Sequence, residues 1–338
     1  MILKVVRPLP GREAPERTFY WRREAAAYGS GLLDRLTADL EAPRCYGAEE
    51  RAGPADRGGR ELWLWLEDAQ RAGAVMANAW TADQVVDAAR RYGGWNGAYL
   101  AGVRPLPAQP WVAHGLWRPW VAEAAPGVAR LAALRGHPAV RAGFPDGLDA
   151  AVLRFWEEDR EPFLAALERL PPALQHGDAS AGNMFFLPAG RGGAAPPPGP
   201  GGAGGRPPRL MAIDFAFLAV APIGLELAVL LNSFRAKAPG GDEAAFAARL
   251  SGAYVAGLRA AGWAGDARLV GLGWRLATAL RYLLNPHVFA LLDEREYARM
   301  ARSRGLPVDD YRFLEVAARV LRRARDIAAE AREQLRRL

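Results

Sequence analysis

The sequence predicts an α+β chain in two lobes, a small β-rich lobe over residues 1–67 and a larger, mainly helical lobe over 68–338. Three observations carry that expectation. The apolar runs ILKVV at 2–6 and ELWLWL at 61–66 have the length and composition of strands, with one helical pattern between them. From residue 81 onward the apolar residues recur mainly at helical spacing. The length, 338 residues, exceeds what one small core usually organises.

Composition narrows the class. Hydrophobic residues make up 51% of the chain, enough for a large buried core. The net charge is +7, but the 44 basic residues are almost all Arg and are interleaved with Glu and Asp. That pattern describes a solvated surface and argues against a nucleic-acid partner. Cys45 is the single cysteine, which excludes an internal disulfide and a cysteine-based metal site and fits a reducing cytoplasm. No run is long and apolar enough to span a bilayer, and MILKVVRP is too short for a secretory signal.

The strand at 2–6 carries Lys4. A strand lysine is ordinarily an edge charge. Here the chain has only two lysines, the other being Lys237, so a compact point charge for phosphate is the competing reading. A helix follows at 16–28, then a short strand at 42–48 and a turn-rich loop at 49–59. The 61–66 strand alternates, and Trp63 and Trp65 read as core rather than as rings stacked on a ligand. Thr81 caps a helix that runs to about Leu100, with Asp83 in its first turn and Gly93-Gly94 marking close packing. Residues 103–120 read as a Pro- and Trp-rich loop, 127–135 as a helix, and 148–170 as a helix kinked or split at Pro162. The helical regions 242–261, 266–284, 287–300 and 308–338 close the chain, broken by Asn285-Pro286 and Gly305-Leu306-Pro307.

The chemistry concentrates between Leu174 and Asp214. LQHGDASAGNMFFL supplies His176, Asp178 and Asn183; RLMAIDF supplies Asp214. The apolar runs at 184–187 and 210–213 look like paired strands. The Gly/Pro tract at 188–209 is expected to be a disordered insertion at the hairpin tip. Phosphoryl transfer needs a carboxylate to accept the proton of an attacking hydroxyl, and oxygen ligands to hold Mg²⁺ on the phosphates. Asp178 suits the first role, Asn183 and Asp214 the second.

His176-Gly177-Asp178, Asn183 and Ile213-Asp214-Phe215 together resemble the aminoglycoside phosphotransferase and choline-kinase-like family of small-molecule kinases. The resemblance implies a protein-kinase-like fold, ATP and Mg²⁺ as cofactors, and a small-molecule hydroxyl as acceptor. It implies that Lys4 holds the α/β phosphates and that Glu24 orients it, with Glu13 and Glu16 as rival partners. It makes Leu66-Glu67 the hinge whose backbone meets adenine. It also implies that His176 holds the loop rather than acting as the base, and that Glu226 fixes the same loop. One departure stands out: the family carries two strands and a phosphate-covering loop before its lysine strand, and here the lysine is residue 4. The expectation is either a natural chain that starts upstream or a truncated lobe. A non-catalytic nucleotide-binding or scaffold protein is therefore the alternative. A metal-dependent phosphohydrolase would gather more His and carboxylate ligands than four scattered histidines supply.

Overall fold

A computed structural model describes residues 1–8, 13–54, 59–70, 73–188, 208–308 and 311–337. The greater part of the expected insertion, 189–207, lies outside the described residues. The chain runs β1 (Ile2–Val6), α1 (Arg23–Gly29), β2 (Leu40–Glu41), β3 (Cys45–Ala52), β4 (Arg60–Leu66), β5 (Val75–Met76), α2 (Ala82–Leu100) and β6 (Ala113–His114). It continues through α3 (Trp117–Ala133), α4 (Pro138–Gly143), α5 (Leu148–Arg154), α6 (Arg160–Glu168), β7 (Pro172–Gln175), β8 (Met184–Leu187), β9 (Arg209–Ala212) and β10 (Ala219–Pro222). It ends with α7 (Leu225–Phe234), α8 (Glu243–Ala260), α9 (Arg268–Leu283), α10 (Pro286–Ala290), α11 (Glu294–Ser303) and α12 (Arg312–Arg336). The described residues form an α+β fold of many helices and three small sheets. Among the described residues no helix is long and apolar enough to cross a membrane.

Two compact units form, one from 1–114 with 171–267 and the other from 115–170 with 268–338. The expected division after residue 67 falls inside the first unit.

The first unit holds all the strands found among the described residues. β1, β4 and β3 form one antiparallel sheet with β4 in the centre. On β4 the period of two sends Leu62, Leu64 and Leu66 into the core, each burial contributing about 1.5–3 kcal/mol. Trp63 and Trp65 are therefore not core, a correction to the sequence expectation. They lie half-buried on the opposite face, where the Arg51 guanidinium sits 4.4 Å from the Trp63 ring centroid. Both faces of ELWLWL are apolar, so alternation alone could not say which one is buried. β3 also runs to Ala52, further than the expected loop allowed. Beyond it Gly53 N–H donates to Gly59 carbonyl at 3.0 Å.

The Thr81 cap forms as expected, with Gln84 N–H donating to Thr81 Oγ1 and Gln84 Oε1 accepting from Thr81 N–H. α2 packs against α8 at very short range. A Cβ on Gly93 would lie 2.1 Å from Tyr254 carbonyl oxygen, and one on Gly257 only 2.0 Å from that of Arg90. Gly94 meets nothing, so only the first of the two adjacent glycines is required by packing. Asn96 on α2 donates to Leu174 carbonyl at 2.8 Å and accepts from Tyr254 hydroxyl at 2.7 Å, which fixes β7 just before the 176–183 loop.

The second unit is helical apart from its connections. α3 begins ten residues before the expected start, with Pro126 inside it. Proline in a helix interior forfeits one backbone hydrogen bond, a defect that tertiary packing here outweighs. Gly127 beside it admits α10, since a Cβ there would lie 2.2 Å from Phe289 Cβ. The irregularity expected at Pro162 lies just ahead of it: the helical run is continuous from α5 into α6, and Glu158, the residue four before the proline, is left without that N–H donor. The irregularity is a π-helical turn at Phe155–Asp159. Its last carboxylate, Asp159, is buried and paired with Arg332 of α12.

Candidate active site

The hairpin register brings the polar groups together. β8 and β9 pair Met184 with Ala212 through Leu187 with Arg209. Ile213 N–H then donates to Asn183 carbonyl at 2.9 Å, so Asn183 and Asp214 emerge at the same end of the hairpin. β9 also pairs in parallel with β2, which anchors that end in a four-stranded sheet.

The loop from His176 to Asn183 is closed on itself. Asn183 Nδ2 donates to Asp178 Oδ2 at 2.9 Å and to Asp178 carbonyl at 3.0 Å. Ser180 N–H donates to Asp178 carbonyl at 2.7 Å, and Asn183 N–H to Ser180 carbonyl at 3.0 Å. Asp178 N–H donates to His176 Nδ1 at 3.2 Å, which leaves the ring proton on Nε2, 2.9 Å from Ile213 carbonyl. His176 is fully buried, against Phe215 with ring centroids 4.7 Å apart. Burial pulls its pKa below the ordinary value, although Asp178 opposes that shift. A neutral imidazole bonded at both nitrogens holds the loop, as expected for His176.

Glycine is required between these two residues. Gly177 has φ 79°, and a Cβ there would stand 2.4 Å from Phe217 carbonyl oxygen. Its N–H donates to Glu226 Oε1 at 3.2 Å, so Glu226 supports the loop from the start of α7. Two supports carried no motif. Gln175 donates through Nε2 to Ala221 carbonyl at 2.8 Å and accepts Glu226 N–H at 3.2 Å. Ser233 Oγ accepts Ala181 N–H at 2.8 Å.

The second cluster joins distant stretches. Lys4 Nζ lies 2.5 Å from Glu24 Oε2 and 3.0 Å from Asp214 Oδ1. Of the three glutamates weighed as partners for Lys4, Glu24 is the one that reaches it. Burial acts to lower the Lys4 pKa, but the Glu24 and Asp214 carboxylates outweigh it and hold the amine above its ordinary range. Glu24 is buried, and burial pushes its carboxyl upward against the pull of Lys4. Asp214 itself is left-handed, with φ 63° and ψ 67°. A non-glycine residue there is strained, and such strain collects at functional sites.

Leu66 and Glu67 stand at the end of β4. Leu66 is buried. Glu67 N–H donates to Arg44 carbonyl at 2.8 Å, and its carboxylate accepts Arg44 N–H at 3.1 Å. Any nucleotide contact at this point falls to other backbone groups than the Glu67 amide. Glu67 also borders a cavity of about 770 Å³ shared with Tyr28, Cys45 and Arg209, which includes none of Lys4, Glu24, Asp178, Asn183 or Asp214.

Among the described residues no group of three or more His, Cys, Asp and Glu side chains could hold a metal ion by itself. Mg²⁺ needs less from a protein, since one or two carboxylates with phosphate oxygens and water complete its shell. The donors present fit that demand. Asn183 turns its Nδ2 onto Asp178 and leaves an amide oxygen, and the half-exposed Asp214 adds a carboxylate. Two carboxylates, Glu24 and Asp214, converge on the single ammonium of Lys4. No protein-family model matches the chain, and no curated protein sequence does.

Proposed function

We propose that this chain is an ATP-dependent phosphotransferase with a two-lobed, protein-kinase-like fold, transferring the γ-phosphoryl group to a hydroxyl of a small molecule. The observation that carries the proposal is the convergence of Lys4 on both Glu24 and Asp214, beside a loop in which Asn183 fixes the Asp178 carboxylate. Those five residues are the parts that the resemblance to aminoglycoside phosphotransferases and choline-like kinases requires, in the same chain order.

In this reading Asp178 accepts the proton of the acceptor hydroxyl. Its Oδ2 takes the Asn183 hydrogen bond, which sets the rotation of the carboxyl group before substrate arrives. Glu24 holds the Lys4 ammonium on one side, and nucleotide phosphates would replace Asp214 on the other. A point charge so placed neutralises phosphate oxygens without needing a directional fork. Asn183 and Asp214 would hold Mg²⁺, which supplies charge neutralisation at the phosphates when bound. Asp214 takes its left-handed conformation just past β9, with its carboxylate on Lys4.

The test is ADP release from ATP and Mg²⁺ across a panel of alcohols, including amino sugars, choline-like amines, simple sugars and amino-acid alcohols. Asp178→Ala is expected to lower turnover by about 10³-fold or more while ATP binding by calorimetry stays within error. Unchanged turnover in that variant removes the base assignment. A wild-type chain that binds no ATP with Mg²⁺ removes the function altogether.

A further inference from the structure

Arg23 is fully buried, and among the described residues no carboxylate pairs with it. All five of its N–H groups go to backbone carbonyls instead. Nε donates to Trp111 at 2.9 Å, Nη1 to Thr18 at 2.5 Å and Ala216 at 2.9 Å, and Nη2 to Pro15 at 3.0 Å and Arg17 at 2.6 Å. A buried charge held only by neutral dipoles is an expensive way to fill space, since an apolar side chain of similar length would do so without desolvation. What the guanidinium supplies is a planar fork that fixes several segments at once.

Those segments are the ones the candidate site depends on. Arg23 is the chain neighbour of Glu24, whose carboxylate holds Lys4. Ala216 lies in the short 3-10 turn just after Asp214, the other carboxylate on Lys4. Pro15, Arg17 and Thr18 belong to the turns that lead into α1. One side chain thus ties the start of the helix bearing Glu24 to the turn bearing Asp214. We infer that Arg23 is a positioning residue, which sets the spacing of Glu24 and Asp214 so that one ammonium can bridge them. This rests on the phosphotransferase reading for its consequence in turnover, but the geometric claim can be tested without it.

The chain has two lysines, so Lys237 serves as an internal reference for Lys4. Wild type, Arg23→Lys, Arg23→Gln and Glu24→Gln are treated with limiting acetic anhydride under native conditions, and the Lys4 to Lys237 acetylation ratio is read by peptide mass spectrometry. Glu24→Gln is expected to raise the ratio roughly tenfold, the worth of one charge-assisted hydrogen bond, and the Arg23 variants to approach it. An Arg23 variant with native circular dichroism and the wild-type ratio overturns the inference. If neither Arg23 variant folds, the residue serves stability alone and the inference also falls.

Kinetics supply a second arm. Arg23→Lys is expected to lower kcat about 100-fold with little change in KM for ATP, as for a small misplacement of a catalytic group. Combined with Glu24→Gln it should be no worse than Glu24→Gln alone, whereas fully additive losses overturn the inference. A wild-type chain that phosphorylates nothing sinks the function and leaves the acetylation result to decide Arg23.

Discussion

The two halves of the candidate site are held by opposite means. From His176 to Asn183, Asp178 is bonded by His176, Ser180 and Asn183, all within a few positions of it. At Lys4, Glu24 and Asp214, every bond joins residues from separate stretches of chain. The bonds on Asp178 itself are local, although Glu226, Ser233 and the Ile213 carbonyl anchor the loop from outside. A cluster of distant groups exists only when the whole first unit is assembled. Catalysis by the scheme above needs both, so the long-range half should be the first to fail under partial unfolding.

Asp214→Asn should have the largest effect on that contrast. It removes a charge from the long-range half while leaving the Asp178–Asn183 bond untouched. Turnover is expected to fall about 10³-fold, the several kcal/mol that a cation-holding carboxylate contributes. A fall of less than tenfold would mean that the two halves do not work together.

Gly177→Ala strikes the local half. The new methyl group meets both a φ of 79° and the Phe217 carbonyl oxygen at 2.4 Å, so the loop must move or the fold must weaken. A loss of about 3 kcal/mol in urea unfolding is expected, with turnover reduced because Asp178 is the next residue. If stability is unaffected, the loop is not the rigid element described here.

The contrast also explains what could be read from the amino acids in order. HGDASAGN announces its own closure, because Asp178, Asn183 and the glycine between His and Asp act within one loop. The β8–β9 pairing was legible for the same reason. Arg23 was not. In WRREAAAY it cannot be told from Arg22, which is half-buried and pairs with Glu50 at 2.6 Å. Its five acceptors come from residues 15, 17, 18, 111 and 216, and no periodicity encodes them. The same bonds account for the shortened α1. A helix over 16–28 was expected, yet the carbonyls of Pro15, Arg17 and Thr18 turn to the guanidinium, and regular helix starts only at Arg23. β10, in a stretch where the sequence predicts no element, owes its existence to β7 and β6 on either side.

The smallest predicted effect is a pH dependence at His176. Its folded-state pKa lies below the unfolded value of about 6.5, because burial disfavours the charged ring. Between those two values the unfolded chain binds more protons than the folded one. The stabilisation from neutral His176 is therefore complete above about pH 6.5 and is lost as pH falls towards the depressed folded pKa, by at most about 1.4 kcal/mol per pH unit. The cause is local: a proton on Nδ1 would confront the Asp178 N–H, a donor facing a donor. His176→Gln can keep an acceptor for that N–H and a donor for Ile213 carbonyl without titrating. Urea unfolding at pH 7.5 and 5.0 should show a smaller acid loss for the variant than for wild type, with His114, His137 and His287 common to both. Equal losses would mean that the buried imidazole does not set the acid limit of this loop.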